Sequence, residues 1–375
     1  MIETKHFFNL PLYLKKGIIY KLGGGWLFTP KPRVVVFPVN DRCNSRCIMC
    51  NRWKKEIKKE ISIDKIREVF SNNLFSNVKQ VNIHGGEPTL RKDLAQIFKI
   101  IQDSCPKLNQ MWLSTNGLNP NRIKKRVKEI FDAIDFKKIK FFPISVSIDG
   151  SKKTHEKIRG VNGGFDQAVE TIHLLKQFKD SYPIEVSIST VLQPLNLYQI
   201  HEIEKVAENL SVPIYFIPLM LDSFFNIDKN SDIIFSRDDL YVLREIIDTK
   251  FIKKTSLTSL YWNDFLQQMD GTRRKIPCAF DRYVISLYPT GEILPCARKG
   301  WIIYGNVYDN NVDRIWFSSE AKRVRKRMKK EVCPTCNNMC QIEFTLEEEF
   351  FTYATYYFKK KIIAPVLPFN LKGSN

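Results

Sequence analysis

Between residues 33 and 218 the chain alternates short apolar, strand-like runs with longer stretches whose apolar positions recur at helical spacing. The strand-like runs cover 34–39, 78–84, 110–114, 142–148, 184–191 and 214–218, and helix-like stretches at 63–71, 94–104, 121–134, 165–178 and 200–209 separate them. This alternation predicts an α/β fold with a mainly parallel sheet covered by helices, and six such repeats fit a partial (β/α)6 barrel. No other internal repeat accompanies it. A looser region at 221–232 then gives way to a helical stretch near 237–251, and 286–294 reads as a β-hairpin turning at Pro289-Thr290-Gly291. The expected division is an apolar and basic arm over 1–32, a core over 33–230, a smaller hairpin and helix module over 231–345, and an aromatic, basic tail over 346–375.

Composition narrows the class. A length of 375 residues with 43% hydrophobic content supports a globular protein of one large or two ordinary domains. The net charge of +19 leaves nucleic acid, anionic lipid and phosphorylated substrates open as partners. Its basic residues, however, sit in helical stretches such as 122–128 and 322–330, where solvated lysine-rich faces account for them, and no nucleic-acid-binding motif is present. Nucleic acid is therefore not an expected partner. No run reaches the roughly 18 apolar residues of a membrane span. The aromatic, basic ends over 7–28 and 350–369 suit either packed arms or contact with a membrane surface. The start lacks the features of a cleavable signal peptide, which points to a reducing cytoplasm, and there clustered cysteines are more often metal ligands than disulfides.

Nine cysteines carry the candidate chemistry. Cys43, Cys47 and Cys50 stand in the order Cys-x3-Cys-x2-Cys just after the first strand. Three thiolates leave one iron of a 4Fe-4S cluster open to an exogenous ligand. A structural zinc site or three unrelated thiols are the alternatives, and zinc would need a fourth ligand, for which His84 is the one nearby histidine in sequence.

This loop after the first strand of an α/β pattern resembles the radical S-adenosylmethionine superfamily. The resemblance implies a site-differentiated 4Fe-4S cluster whose open iron takes the amine and carboxylate of S-adenosyl-L-methionine (SAM). One electron then cleaves a C–S bond, and the resulting 5'-deoxyadenosyl radical abstracts hydrogen from a substrate carbon. The superfamily usually has an aromatic residue before the third cysteine; here it is Met49, apolar and polarisable enough to pack on adenine. About 35 residues later, at the end of the second strand, Gly85-Gly86-Glu87-Pro88 resembles the motif that contacts the methionine amine. The third strand ends in Thr115-Asn116, where such folds place their ligands. After the fourth strand, Ser147 in Ser-x-Asp-Gly and Arg159, with His155 between, match a signature in which the serine meets the ribose and the arginine clamps the methionine carboxylate.

A second cysteine set follows. Cys278 and Cys296 enclose the hairpin, and Cys333-Pro-Thr-Cys336 lies beyond a basic helix. The pattern resembles the C-terminal module called SPASM, or its shorter form Twitch. Because the run ends at Cys340, the five thiols cannot fill two four-ligand clusters, and Twitch is the expectation: one auxiliary 4Fe-4S cluster on Cys278, Cys296, Cys333 and Cys336, with Cys340 as a spare. A zinc ribbon is the alternative. Cys105 has no partner nearby and reads as a buried or helix-end thiol.

The resemblance implies electron transfer for the auxiliary cluster and an external donor of flavodoxin or ferredoxin type. Only 42 residues precede Cys43, which argues against a built-in leader-peptide binder, and Ala297-Arg298 stands where sulfatase-maturing relatives carry an aspartate. The expected reaction is therefore oxidation or epimerisation of a small carbohydrate-like metabolite or of a glycan- or lipid-linked substrate. Peptide or protein maturation, and a non-enzymatic iron–sulfur or zinc protein that binds nucleic acid, are the alternatives.

Overall fold

The computed structural model describes residues 29–219, 233–252, 257–276, 282–296 and 302–339, together with Cys278, Phe280 and isolated positions beyond 340. The expectations for the two terminal arms, the 221–232 region, Ala297-Arg298 and Cys340 lie outside the described residues.

The first strand, β1 (Val34–Pro38), is buried along its whole length, as expected of a central strand in a parallel sheet. There follow α1 (Ile63–Phe70), β2 (Gln80–His84), α2 (Leu94–Ser104), β3 (Gln110–Thr115), α3 (Pro120–Ala133), β4 (Phe142–Ser147), α4 (Lys152–Arg159), α5 (Gly164–Lys176), β5 (Ile184–Leu192), α6 (Ile200–Leu210) and β6 (Ile214–Pro218). Each of the six strands and five helices read from periodicity forms within two residues of its expected ends. The eight-residue α4 was not anticipated. Only one of its eight residues, Ile158, is apolar, which is too short and polar a stretch for a clear period.

Next come α7 (Arg237–Ile246), α8 (Leu257–Met269), β7 (Val284–Leu287), β8 (Glu292–Leu294), β9 (Gly305–Asn306), α9 (Val312–Phe317) and α10 (Ser319–Glu331). Among the described residues the strands form one open sheet in the order β6-β5-β4-β3-β2-β1-β7-β8-β9. Neighbours from β6 to β7 are parallel, and β7-β8-β9 is antiparallel. The hairpin turns where the sequence placed it, but it belongs to the main sheet, because β7 pairs directly with β1. Strand register is a tertiary property that a hairpin signal does not encode.

Chain contacts define two compact units. The larger comprises Pro30–Leu240 with Phe280–Met328; the smaller comprises the described residues of Tyr241–Ala279 and of the chain from Lys329 onward. In the larger unit one face of the sheet lies under helices. Phe37 packs on Phe70 of α1, and Phe142 packs on Phe98 of α2 and Phe131 of α3, with ring centroids 5.3–6.3 Å apart. Burying such a side chain is worth about 1.5–3 kcal/mol. This covered face fixes the sheet and leaves the strand tips to carry polar groups.

Candidate active site

The loop that leaves β1 is fastened to the tip of β2. Asn40, fully buried, donates from Nδ2 to the Glu87 carbonyl at 2.8 Å, and its own carbonyl accepts from Gly86 N at 2.9 Å. Glu87 N donates to the Arg42 carbonyl at 2.8 Å. The approach is so close that a Cβ on Gly86 would stand 2.1 Å from the Arg42 carbonyl oxygen, a backbone atom that cannot swing away. Arg91 braces the same junction from behind, donating to the carbonyls of Val39 and Ile61 at 2.8 and 2.7 Å.

Glu87 lies fully buried inside this junction. Its carboxylate accepts from Thr89 Oγ1 at 2.6 Å, Thr115 Oγ1 at 2.9 Å, Thr89 N at 3.2 Å and Asn116 N at 2.8 Å. Burial still holds its carboxyl above the ordinary value, with those four donors working against the shift. The side chain therefore ties the β2 tip to the β3 tip. Asn116 carries the connection onward: its Nδ2 donates to Asn44 Oδ1 at 2.8 Å and points at Cys43 Sγ from 3.7 Å.

The β4 tip holds the opposite side. Asp149, fully buried, accepts from Arg159 Nε at 2.6 Å and from Val191 N at 2.9 Å. Arg159 directs Nη1 at Cys47 Sγ from 3.7 Å, and its carbonyl accepts from Arg46 N and Ser45 Oγ. Burial works against the Arg159 charge, yet Asp149 and Cys47 hold its pKa above the ordinary value. Gly160, in the left-handed region at φ 64°, ends α4 where any Cβ would meet Arg46 at 2.8 Å. His155 accepts at Nδ1 from Asp149 N, and burial, then Arg159, lower its pKa to about 4. It is thus a neutral brace for Asp149. Ser147, half-buried at the end of β4, lies in register with Ser189 of β5.

These elements bring all the residues of the first expected site to one rim of the sheet. The Cys43 thiol is pushed up to about 11, first by burial and then by Cys47, Glu87 and Cys50, against a donor from Ser45 N; Cys50 is raised by burial as well. The Cys43 and Cys50 thiols, raised by burial, would ionise only against a strong positive charge, as iron supplies. N–H groups of Ser45, Asn116 and Arg159 approach the sulfurs at 3.5–3.7 Å, as donors to cluster thiolates do. The donor set fits a three-cysteine iron–sulfur site. Among the described residues, no three His, Cys, Asp or Glu side chains close on a single point as one metal ion requires. Met49 packs with Cys47, Ile158 and Leu219, against Val191 and Leu195, in an apolar cluster beside the trio.

Asn40 and Arg91 were not among the expected site residues, and Asp149 and His155 stood in the matched signature without an assigned role. Asn40 had a visible signal, a polar residue between an apolar strand and the cysteine loop. Arg91 pairs locally with Asp93 at 2.7 Å, but the carbonyls it braces, those of Ile61 and Val39, lie 30 and 52 residues away. Cys105 caps the end of α2, and burial pushes its thiol up to about 12.

The second cysteine set is built differently. In the smaller unit a short 3-10 turn over Cys333–Thr335 brings Cys333 and Cys336 to one side, with Cys336 N donating to the Cys333 carbonyl at 3.2 Å. Arg274 knits this turn to the segment before Cys278: its N donates to the Pro334 carbonyl, Nε to that of Ile276, and Nη1 to that of Asn338. Burial opposes the Arg274 charge, but Cys278 and Cys336, with Tyr261 and Asp264, carry its pKa above the ordinary value. Cys296, buried, follows β8 in the larger unit. Tyr288, at the hairpin turn, is raised by burial and by Cys296, against Arg52.

Comparison with known proteins supplies the family. Residues 37–207 match the Radical SAM superfamily and residues 278–341 match SPASM, an iron–sulfur cluster-binding domain. The chain is 27% identical over 186 residues to Fe-coproporphyrin III synthase of Methanosarcina barkeri, covering 49% of this chain and 43% of that protein. It is 24% identical over 313 residues to the mycofactocin maturase MftC of Mycobacterium tuberculosis, covering 82% and 76%. Its matches span only about half the length of the first curated relatives. The solved structure of Streptococcus suis SuiB bound to S-adenosylmethionine shares the fold at a TM-score of 0.56 and 15% identity, over 88% of this chain and 77% of that one. With both domain matches falling on the two cysteine sets, this chain belongs to the radical SAM superfamily, in the group that carries a C-terminal SPASM iron–sulfur domain, and 4Fe-4S clusters and SAM are its cofactors.

Proposed function

We propose that the protein oxidises or epimerises a small carbohydrate-like metabolite, or a glycan- or lipid-linked substrate. The cluster held by Cys43, Cys47 and Cys50 supplies one-electron reductive cleavage of SAM. The chain's own residues position the parts. Asn116 and Arg159 direct N–H groups to the thiolate sulfurs, Arg159 is placed by Asp149 to face the methionine carboxylate, and the backbone of Gly85, Gly86, Glu87 and Pro88 meets its amine. Thr115 acts through Glu87, whose carboxylate is fully engaged and therefore positions this backbone instead of binding the cofactor itself. Ser147 faces the ribose, and Met49 offers adenine an apolar surface.

The observation that carries the reading is the fastening of the cysteine loop to three strand tips by buried, fully paired side chains. For the second set we assign one auxiliary 4Fe-4S cluster of Twitch type on Cys278, Cys296, Cys333 and Cys336, which in the oxidation would accept the electron left on substrate. An external flavodoxin- or ferredoxin-type donor supplies the first electron. No described helix is long and apolar enough to cross a membrane. We assign the protein to the cytoplasm, with the terminal arms as candidate membrane-surface contacts.

Peptide maturation is the second reading. It is favoured by the long match to mycofactocin maturase and by a fold shared, at a TM-score of 0.57, with SuiB bound to its precursor peptide SuiA. Cys278→Ala tests the electron-acceptor role: SAM cleavage is expected to continue, with product formation falling sharply. Normal product formation would remove the auxiliary cluster from the reaction.

A further inference from the structure

Opposite the helix-covered face, the sheet presents a second face with a different chemistry. Register places Ser286 of β7, Val36 of β1, Asn82 of β2 and Trp112 of β3 side by side. One step nearer the cysteine loop, Ser114, Ser145 and Ser187 form a hydroxyl row across β3, β4 and β5, with Ser145 donating to Ser114 Oγ at 3.1 Å. Along β2 and β3 the residues of this face are half-exposed while their neighbours are buried, so solvent reaches it.

Three polar atoms in the lower row, Ser286 Oγ, Asn82 Oδ1 and Trp112 Nε1, are buried without a hydrogen-bond partner among the described residues. Leaving such groups unpaired is unfavourable, a cost that a ligand with matching groups would lift. The chain has 59 lysines and arginines, yet none occupies this face on β1 to β7. Its single charged residue on β5 is Glu185, which accepts from Tyr215 Oη at 3.0 Å. Arg52, in the turn after the cysteine loop, is already paired with Asp41 at 2.8 Å.

We propose that this face is the wall of the substrate site and that it selects an uncharged polyhydroxylated ring, a sugar or cyclitol, over phosphorylated or polycarboxylated substrates. The inference rests on the function proposed above and narrows its substrate class. Serine hydroxyls both donate and accept, as does each hydroxyl of a polyol, and Trp112 adds an aromatic ring whose apolar face can pack against ring C–H groups. A site whose buried polar atoms need partners discriminates strongly against ligands that lack them. An anion would lose its hydration against a wall that offers no cation.

The test uses full-length, reconstituted holoenzyme. Dithionite with SAM alone gives the uncoupled rate of 5'-deoxyadenosine formation, and its presence establishes the radical SAM reading separately. A small-molecule extract of the source organism is then split into neutral, anionic and cationic fractions on ion exchangers and added to the enzyme. The neutral fraction is expected to stimulate 5'-deoxyadenosine formation at least tenfold, and periodate, which cleaves vicinal diols, should remove that stimulation. Trp112→Leu and Ser145→Ala should each raise the amount of neutral fraction needed for half-maximal stimulation at least fivefold, with SAM affinity on the unreduced enzyme kept within twofold. Stimulation confined to a charged fraction, resistance to periodate, or no stimulation by any fraction would overturn the proposal.

Discussion

The two cysteine sets reach their positions by opposite routes. Cys43, Cys47 and Cys50 lie within eight residues of one another, on a loop locked to the tips of β2, β3 and β4 by Asn40, Glu87, Asn116 and Arg159. Cys278, Cys296, Cys333 and Cys336 are spread over 59 residues, on a hairpin end and on turns, with Arg274 tying three backbone carbonyls in the smaller unit. The first arrangement rests on a buried ion pair and a fully engaged buried carboxylate, whereas the second rests on one guanidinium donating to backbone carbonyls. A site that must orient a reacting cofactor gains from a locked frame. A site that passes electrons needs its cluster held, with less demand on orientation.

Substitutions in the two regions should therefore differ in cost. The largest effect is expected from Arg159→Leu, which strands Asp149 as an unpaired buried charge and should lower stability by about 3–5 kcal/mol in denaturant titration. If Arg159→Leu proved neutral, the locked-frame contrast would collapse. Gly86→Ala forces Cβ into the Arg42 carbonyl and should cost about 2–3 kcal/mol, with loss of SAM binding measured by calorimetry. Arg274→Ala should cost less, about 1–2 kcal/mol, and should release iron from the auxiliary site while SAM binding persists. Equal costs for Arg274→Ala and Arg159→Leu would erase the distinction. Lys322→Ala on the exposed face of α10 should stay within about 0.5 kcal/mol of the parent, which sets the baseline for the series.

The sequence made the first region far more legible than the second. Strands β1 to β6 follow from alternating apolar runs because a parallel sheet buries them, and Cys43-x3-Cys47-x2-Cys50 is local enough to be recognised from spacing. Other features depend on contacts that no window contains. The pairing of β7 with β1 joins residues 250 apart, and Arg274 reads as an ordinary basic residue until its partners at Pro334 and Asn338 are known. Glu87 shows a subtler gap. Its motif was plain, but only the structure shows the carboxylate engaged by Thr89, Thr115 and Asn116, which makes it a positioning residue. The short α4 escaped because the face it buries carries His155 and Arg159 beside a single apolar residue, Ile158, so no run of apolar positions marks it.

The most direct measurement compares iron content and 5'-deoxyadenosine formation in anaerobically reconstituted wild type and Cys43→Ala. The wild type should hold about eight irons, as two 4Fe-4S clusters require, and should release 5'-deoxyadenosine from SAM on reduction. Cys43→Ala should keep about four irons, those of the auxiliary site, and release none. Zinc in place of iron, or SAM cleavage that survives Cys43→Ala, would contradict the assignment of the reacting cluster to the first three cysteines.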